Sequence, residues 1–66
     1  MINLGERLKA LRLHKGRRQI DIARVMKVNQ SVVSMWENNI KEPNDEHKKH
    51  LAKYYRVSYK KLYYDE

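Results

Sequence analysis

The side chains of this 66-residue chain that could do chemistry are amides, hydroxyls and cations. There is no framework of serine, histidine and aspartate, no phosphate-binding glycine loop, and no carboxylate pair on an apolar floor, so the chain reads as a non-enzyme. His47 and His50 stand three apart. A zinc site needs more than two ligands and cysteine is absent, so these read as solvated histidines, with no metal or cofactor implied. What remains is hydrogen bonding and charge. Gln30, Ser31 and Ser34, with Met35 beside them, fall on one side of an expected helix, opposite Val33 and Trp36. Lys and Arg number 15 against 8 acidic residues, a net charge of +7. On so small a surface that implies a positive potential and an anionic partner, nucleic acid or an anionic membrane, with a merely solubilising charge as the plain alternative. Five of the eight acids (Glu42, Asp45, Glu46, Asp65, Glu66) lie beyond residue 41, so the N-terminal two-thirds builds most of the positive face.

The elements that must position these groups read as helices. Two glycines, one proline and no alternating apolar-polar run disfavour strands. Helix 1 is expected over about 4–14, capped by Asn3 with Glu6 as capping-box partner, Leu4, Leu8 and Leu11 inward, and Gly16 at its end. Helix 2 covers about 19–26 on an Ile22, Ala23, Met26 stripe; Ile20 and Val25 lie off it, either exposed or widening the core. Lys27-Val28-Asn29 is a tight turn, and Asn29 suits the cap of helix 3 over about 30–38. Asn38 and Asn39 can end that helix. Asn44 caps helix 4, with Asp45 and Glu46 where the helix dipole favours negative charge, and Leu51, Ala52 and Tyr55 inward. Ser58 caps helix 5, whose Leu62 packs inward. The expectation is one all-α domain, a compact bundle of five short helices over 1–66. Its core is small, since a chain this size buries only about 60% of its unfolded surface.

Between helices 2 and 3 the spacing has a physical logic. A three-residue turn brings the helices so close that the first needs a small residue, which Ala23 supplies. Val28 fills the gap between them. The second helix then stands proud of the surface, able to enter a major groove about 12 Å wide.

Residues Gln19 to Asn38, with Ala23, Val28, Val33 and Trp36 at these positions, resemble the helix-turn-helix of phage-repressor and Cro-like proteins, the XRE family. The likeness runs from about Leu4 to Leu62 and takes in Gly5-Glu6-Arg7-Leu8, Lys15-Gly16, Pro43, Leu51-Ala52-Lys53 and Val57-Ser58. It implies a lambda-repressor-like domain that binds double-stranded DNA in a sequence-specific way and regulates transcription as a repressor of phage or mobile-element type. The resemblance places Gln30, Ser31, Ser34 and Met35 against base edges. Gln can pair bidentately with adenine, Ser can bond several bases, and Met35 can touch a thymine methyl. It places Gln19, Arg17, Arg18, Asn38, Asn39 and Lys41 on the phosphate backbone. The chain departs from the family pattern at several positions. Arg18 stands where Ser or Thr would cap helix 2. Lys27 stands where glycine is common, at a cost of about 1 kcal/mol if φ is positive. Asp45 and Lys48 stand where leucines are usual.

Trp36 reads as core rather than a base-stacking ring. Tyr59 and Tyr63 read either as a dimer contact or as simply exposed, and Lys48, Lys49, Lys53, Lys60 and Lys61 as a solvated face. One recognition helix reads too few base pairs to single out a genomic site, so a homodimer is expected, at least on DNA. Its operator would be roughly two-fold, with half-sites about 34 Å apart. No apolar run approaches the ~20 residues that cross a bilayer, and Met1 to Leu4 do not open a signal peptide, so a complete cytoplasmic protein without a membrane partner is expected. A rival reading keeps the fold but makes it a protein-interaction module, such as an antitoxin or a regulatory partner. Control is expected from expression level, a regulatory protein partner or degradation.

Overall fold

A computed structural model describes residues 3–64. It contains α1 (Leu4–His14), α2 (Gln19–Met26), α3 (Gln30–Glu37), α4 (Asp45–Tyr55) and α5 (Tyr59–Tyr64), and no strand among the described residues. α1, α2 and α4 begin where the sequence offers their free amides a side-chain acceptor or a neighbouring carboxylate. The Asn3 side chain accepts from the Glu6 N–H at 3.1 Å and Asn44 from the His47 N–H at 2.8 Å, as expected of both caps. Ser58 accepts only loosely, from the Lys61 N–H at 3.5 Å. Asn29 departs from expectation: its side chain makes no capping bond, and its carbonyl accepts from Val32 at 3.0 Å instead.

Arg18 has no acceptor with which to cap α2, and Asp21 compensates. Its carboxylate accepts from the Arg18 backbone N–H at 2.8 Å and from the guanidinium twice, at 3.2 Å each. The same guanidinium holds the Asp21 carboxyl below the usual carboxylate range. Lys27 does adopt positive φ, at 58°, as do Asn39 at 58° and Arg56 at 56°. For Lys and Arg each such residue costs roughly 1–2 kcal/mol, whereas Asn visits this region readily.

Leu8, Ile22, Ala23, Met26, Val33, Trp36, Leu51, Ala52 and Leu62 form the core, with Val25 packed against it. Tyr55 is half-buried rather than part of the fully enclosed set. Two polar side chains share this interior, Arg12 and Glu37. Lys48 is not part of a solvated face. Its ammonium pairs with Glu42 at 2.7 Å and sits 5.4 Å from the centre of the Tyr63 ring, while the Tyr63 hydroxyl donates to the Lys48 carbonyl at 3.0 Å. Tyr63 is thereby tied into its own chain, and its ring lies 4.8 Å from that of Tyr59. His47 also departs from a solvated reading, since its ring lies 5.2 Å from that of Trp36.

Candidate nucleic-acid interface

The α2–α3 pair is set by small and branched side chains. Ala23 and Val33 are each 1% exposed at their junction, and Trp36 is 3% exposed. The left-handed Lys27 turns the chain, letting Val28 N–H bond the Ala23 carbonyl at 3.0 Å. With that face buried, α3 exposes Gln30 and Ser31 to solvent, with Ser34 and Met35 half-exposed beside them. The four residues expected to read bases therefore occupy one continuous outward face.

A line of polar side chains runs from the interior to that face. Arg12 forks onto Glu37 with bonds of 2.7 and 3.0 Å, and also donates to the Arg17 carbonyl at 2.9 Å. The side chains are 9% and 3% exposed. Glu37 raises the Arg12 pKa above its ordinary value, chiefly through their hydrogen bond. Glu37 Oε1 also accepts from Gln19 Nε2 at 3.1 Å. A carboxylate can only accept, so Gln19 must turn its NH2 inward and its carbonyl outward. That carbonyl meets Gln30 Nε2 at 3.5 Å. Gln30 is thus biased to keep its Oε1 and one N–H free. That is the donor-acceptor pair an adenine edge requires in the major groove.

Ser34 is oriented by a different partner. Asn38 Nδ2 donates to the Ser34 carbonyl at 2.9 Å and to its Oγ at 3.2 Å. With an acceptor position filled, the Ser34 hydroxyl proton remains available as a donor.

The expected phosphate contacts fare differently from one another. Gln19 lies at the rim of the reading face. Arg17 is exposed, with Nε 3.4 Å from the Tyr54 hydroxyl, and Arg18 is engaged by Asp21. Lys41 projects freely, but its N–H, like that of Ile40, is spent on the Met35 carbonyl, at 3.3 and 3.0 Å. The Asn38 and Asn39 N–H groups bond Ser34 and Trp36 carbonyls. Residues 38–41 therefore have side chains rather than main-chain amides to offer. Asn39 is occupied as well: its Oδ1 accepts from Gly5 N–H at 2.9 Å and its Nδ2 donates to Asn3 at 2.7 Å. It fastens the start of α1 to the end of α3.

Sequence reasoning missed Arg12, Glu37 and Gly5. Arg12 lies four residues after Leu8 and eight after Leu4, so helical spacing alone places it inward; its charge disguised it. Gly5 is required by proximity, since a Cβ there would overlap the Glu37 carbonyl. No group of three metal-ligating side chains occurs among the described residues.

Two short helices locked across a three-residue turn, the second presenting an uncharged polar face to solvent, define a helix-turn-helix protein. The chain belongs to the Helix-turn-helix family, which it matches over residues 8–62. Among solved structures it is similar to the P22 c2 repressor protein in complex with synthetic operator 9T in the presence of Tl+. That likeness covers 100% of both chains at 29% identity, with a TM-score of 0.90. A comparison with curated proteins finds no match.

Proposed function

We propose that this protein is a transcriptional repressor that binds double-stranded DNA sequence-specifically, inserting α3 into the major groove. The observation that carries this reading is the outward face of Gln30, Ser31, Ser34 and Met35, with Gln30 oriented through Gln19 by the Arg12–Glu37 pair. The similar P22 c2 repressor was crystallised on a synthetic operator, which supports the same kind of partner here. The protein acts by occupying DNA, not by catalysis.

In this reading Gln30 engages an adenine edge, and Ser34 donates to a base acceptor such as a purine N7 or thymine O4. Ser31 bonds a neighbouring base, and Met35 packs on a thymine methyl. Gln19, Arg17, Arg18, Asn38 and Lys41 hold the backbone on either side. Asn39 acts from behind, by anchoring the loop that carries Lys41. An eight-residue α3 is only about 12 Å long, which spans too few base pairs for genomic specificity. A homodimer on a roughly two-fold operator supplies the rest. No helix among the described residues is long and apolar enough to cross a membrane, and we place the protein in the cytoplasm with its operator.

Selection of bound sequences from a random duplex pool at moderate salt tests the proposal. The expected result is one enriched motif, with two inverted half-sites centred about 34 Å apart. Recovery of unenriched DNA would overturn specific reading.

A further inference from the structure

The reading face does not end at Gln19. Two residues earlier, Arg17 leans on α4, its Nε 3.4 Å from the Tyr54 hydroxyl. Lys15 extends its ammonium over the same ring, 4.9 Å from the centroid. Along α4, Lys49, His50 and Lys53 line a shallow surface recess with Tyr54. One half-buried tyrosine therefore gathers four permanent cations from the α1–α2 corner and from α4. None of the four pairs with an acid in the described residues. Elsewhere Arg12, Arg18 and Lys48 each have a carboxylate. The acids nearest along α4 are Glu46, three residues before Lys49, and Asp45, four before it and lining a neighbouring recess with it, though neither forms an ion pair with Lys49.

The arrangement has a cost when nothing is bound. Lys49 and Lys53 stand four apart on one helix face, a like-charge spacing that destabilises a helix. A polyanion laid along the strip removes that repulsion. The strip suits a backbone rather than a single anion, because the cations are spread around a ring instead of converging on a point. Lys49 and Lys53 alone are about 6 Å apart along the helix axis, close to the spacing of successive phosphates on one strand. Duplex DNA is favoured over other polyanions by continuity: the strip starts at Arg17, beside Gln19, so one duplex seated on α3 can reach it.

We propose that Lys15, Arg17, Lys49 and Lys53, gathered around Tyr54, form a second phosphate-binding strip that holds DNA flanking the half-site read by α3. The strip carries no base selectivity. It lengthens the footprint and raises affinity for operators embedded in longer duplex, and Tyr54 is its positioning residue. The inference rests on α3 being the DNA-reading helix.

The test uses Lys49→Gln/Lys53→Gln in the full chain, two exposed positions whose change leaves the core untouched. Binding is measured over a salt series on two duplexes, one trimmed to the selected operator and one extended by ten base pairs on each side. Each lost phosphate contact lowers the slope of log K against log salt by about 0.9. On the extended duplex the slope of the variant falls by about 1.8 per protomer, while on the trimmed duplex it matches wild type. An equal slope change on both duplexes, or none on either, overturns the proposal. So does a defect confined to vesicles of anionic phospholipid, which would make the strip a membrane contact. Failure of the function reading is separable. It shows as wild-type protein that fails to prefer the operator over scrambled DNA of equal length, and the slope comparison on extended DNA does not depend on that preference.

Discussion

Removing one partner of the Arg12–Glu37 pair should cost this domain a large share of its stability. The pair joins α1 to the end of α3 through bonds of 2.7 and 3.0 Å, between side chains 9% and 3% exposed. Breaking such a buried pair from one side costs about 3–5 kcal/mol, because the remaining charge is stranded. At roughly 0.05–0.15 kcal/mol per residue, a 66-residue domain has about 3–10 kcal/mol in all. Arg12→Met or Glu37→Leu should therefore leave a marginal protein, read as a drop in the urea midpoint with unchanged slope. The double variant Arg12→Met/Glu37→Leu strands no charge, and should recover most of the loss, coming within about 1 kcal/mol of wild type. Its DNA binding should not recover in parallel. With no carboxylate at position 37, Gln19 loses the partner that turns its carbonyl toward Gln30, so preference for the operator falls although the fold is restored. Single variants that each lose less than about 1 kcal/mol, or a double variant whose loss equals the sum, would refute this reasoning.

Gly5→Ala should destabilise by about 1–3 kcal/mol, since the added methyl meets the backbone carbonyl of Glu37, which cannot rotate away; thermal melts check this. Lys27→Gly should stabilise by about 0.5–1 kcal/mol, the left-handed strain relieved less the extra entropy of glycine in the unfolded chain; an unchanged urea midpoint would count against it. At alkaline pH the domain should weaken. Burial is the main cause that pushes Tyr55 and Tyr63 well above the usual tyrosine range. A hydroxyl whose pKa is raised on folding gives stability that is complete below the unfolded value of about 10 and is lost as pH rises beyond it. Melting temperature should hold near pH 9 and fall above about pH 10, and Tyr63→Phe should shallow that fall.

The five helices were legible because each signal is local. Asn3 and Asn44 announce their helices by chemistry that needs no tertiary partner, and the Ala23, Val28, Val33, Trp36 spacing specifies how α2 meets α3. The outward face of α3 followed in part, since burying Val33 and Trp36 points Ser31 and Ser34 outward, while Gln30, three residues before Val33, is exposed at the first position of the helix. What escaped depends on residues brought together from far along the chain. Arg12 and Glu37 are 25 residues apart, and a charged residue on an apolar stripe shows no partner in one dimension. Asn39 looked like a phosphate contact because its engagement with Asn3 and Gly5 spans more than 30 residues. Lys48 and Tyr63 looked like surface for the same reason, and each is occupied by the other. Arg56 gave no warning of its positive φ. The turn from α4 to α5 imposes it, with Val57 N–H reaching back to the Ala52 carbonyl at 3.0 Å.

In the function proposed here, α3 reads bases through Gln30 and Ser34. Its most direct test is the affinity of Gln30→Ala and Ser34→Ala for the selected operator and for a scrambled duplex, across a salt series. Each variant should lose about 1–3 kcal/mol on the operator and almost nothing on scrambled DNA, with salt slopes like wild type. Equal losses on both duplexes, or none on the operator, would contradict it.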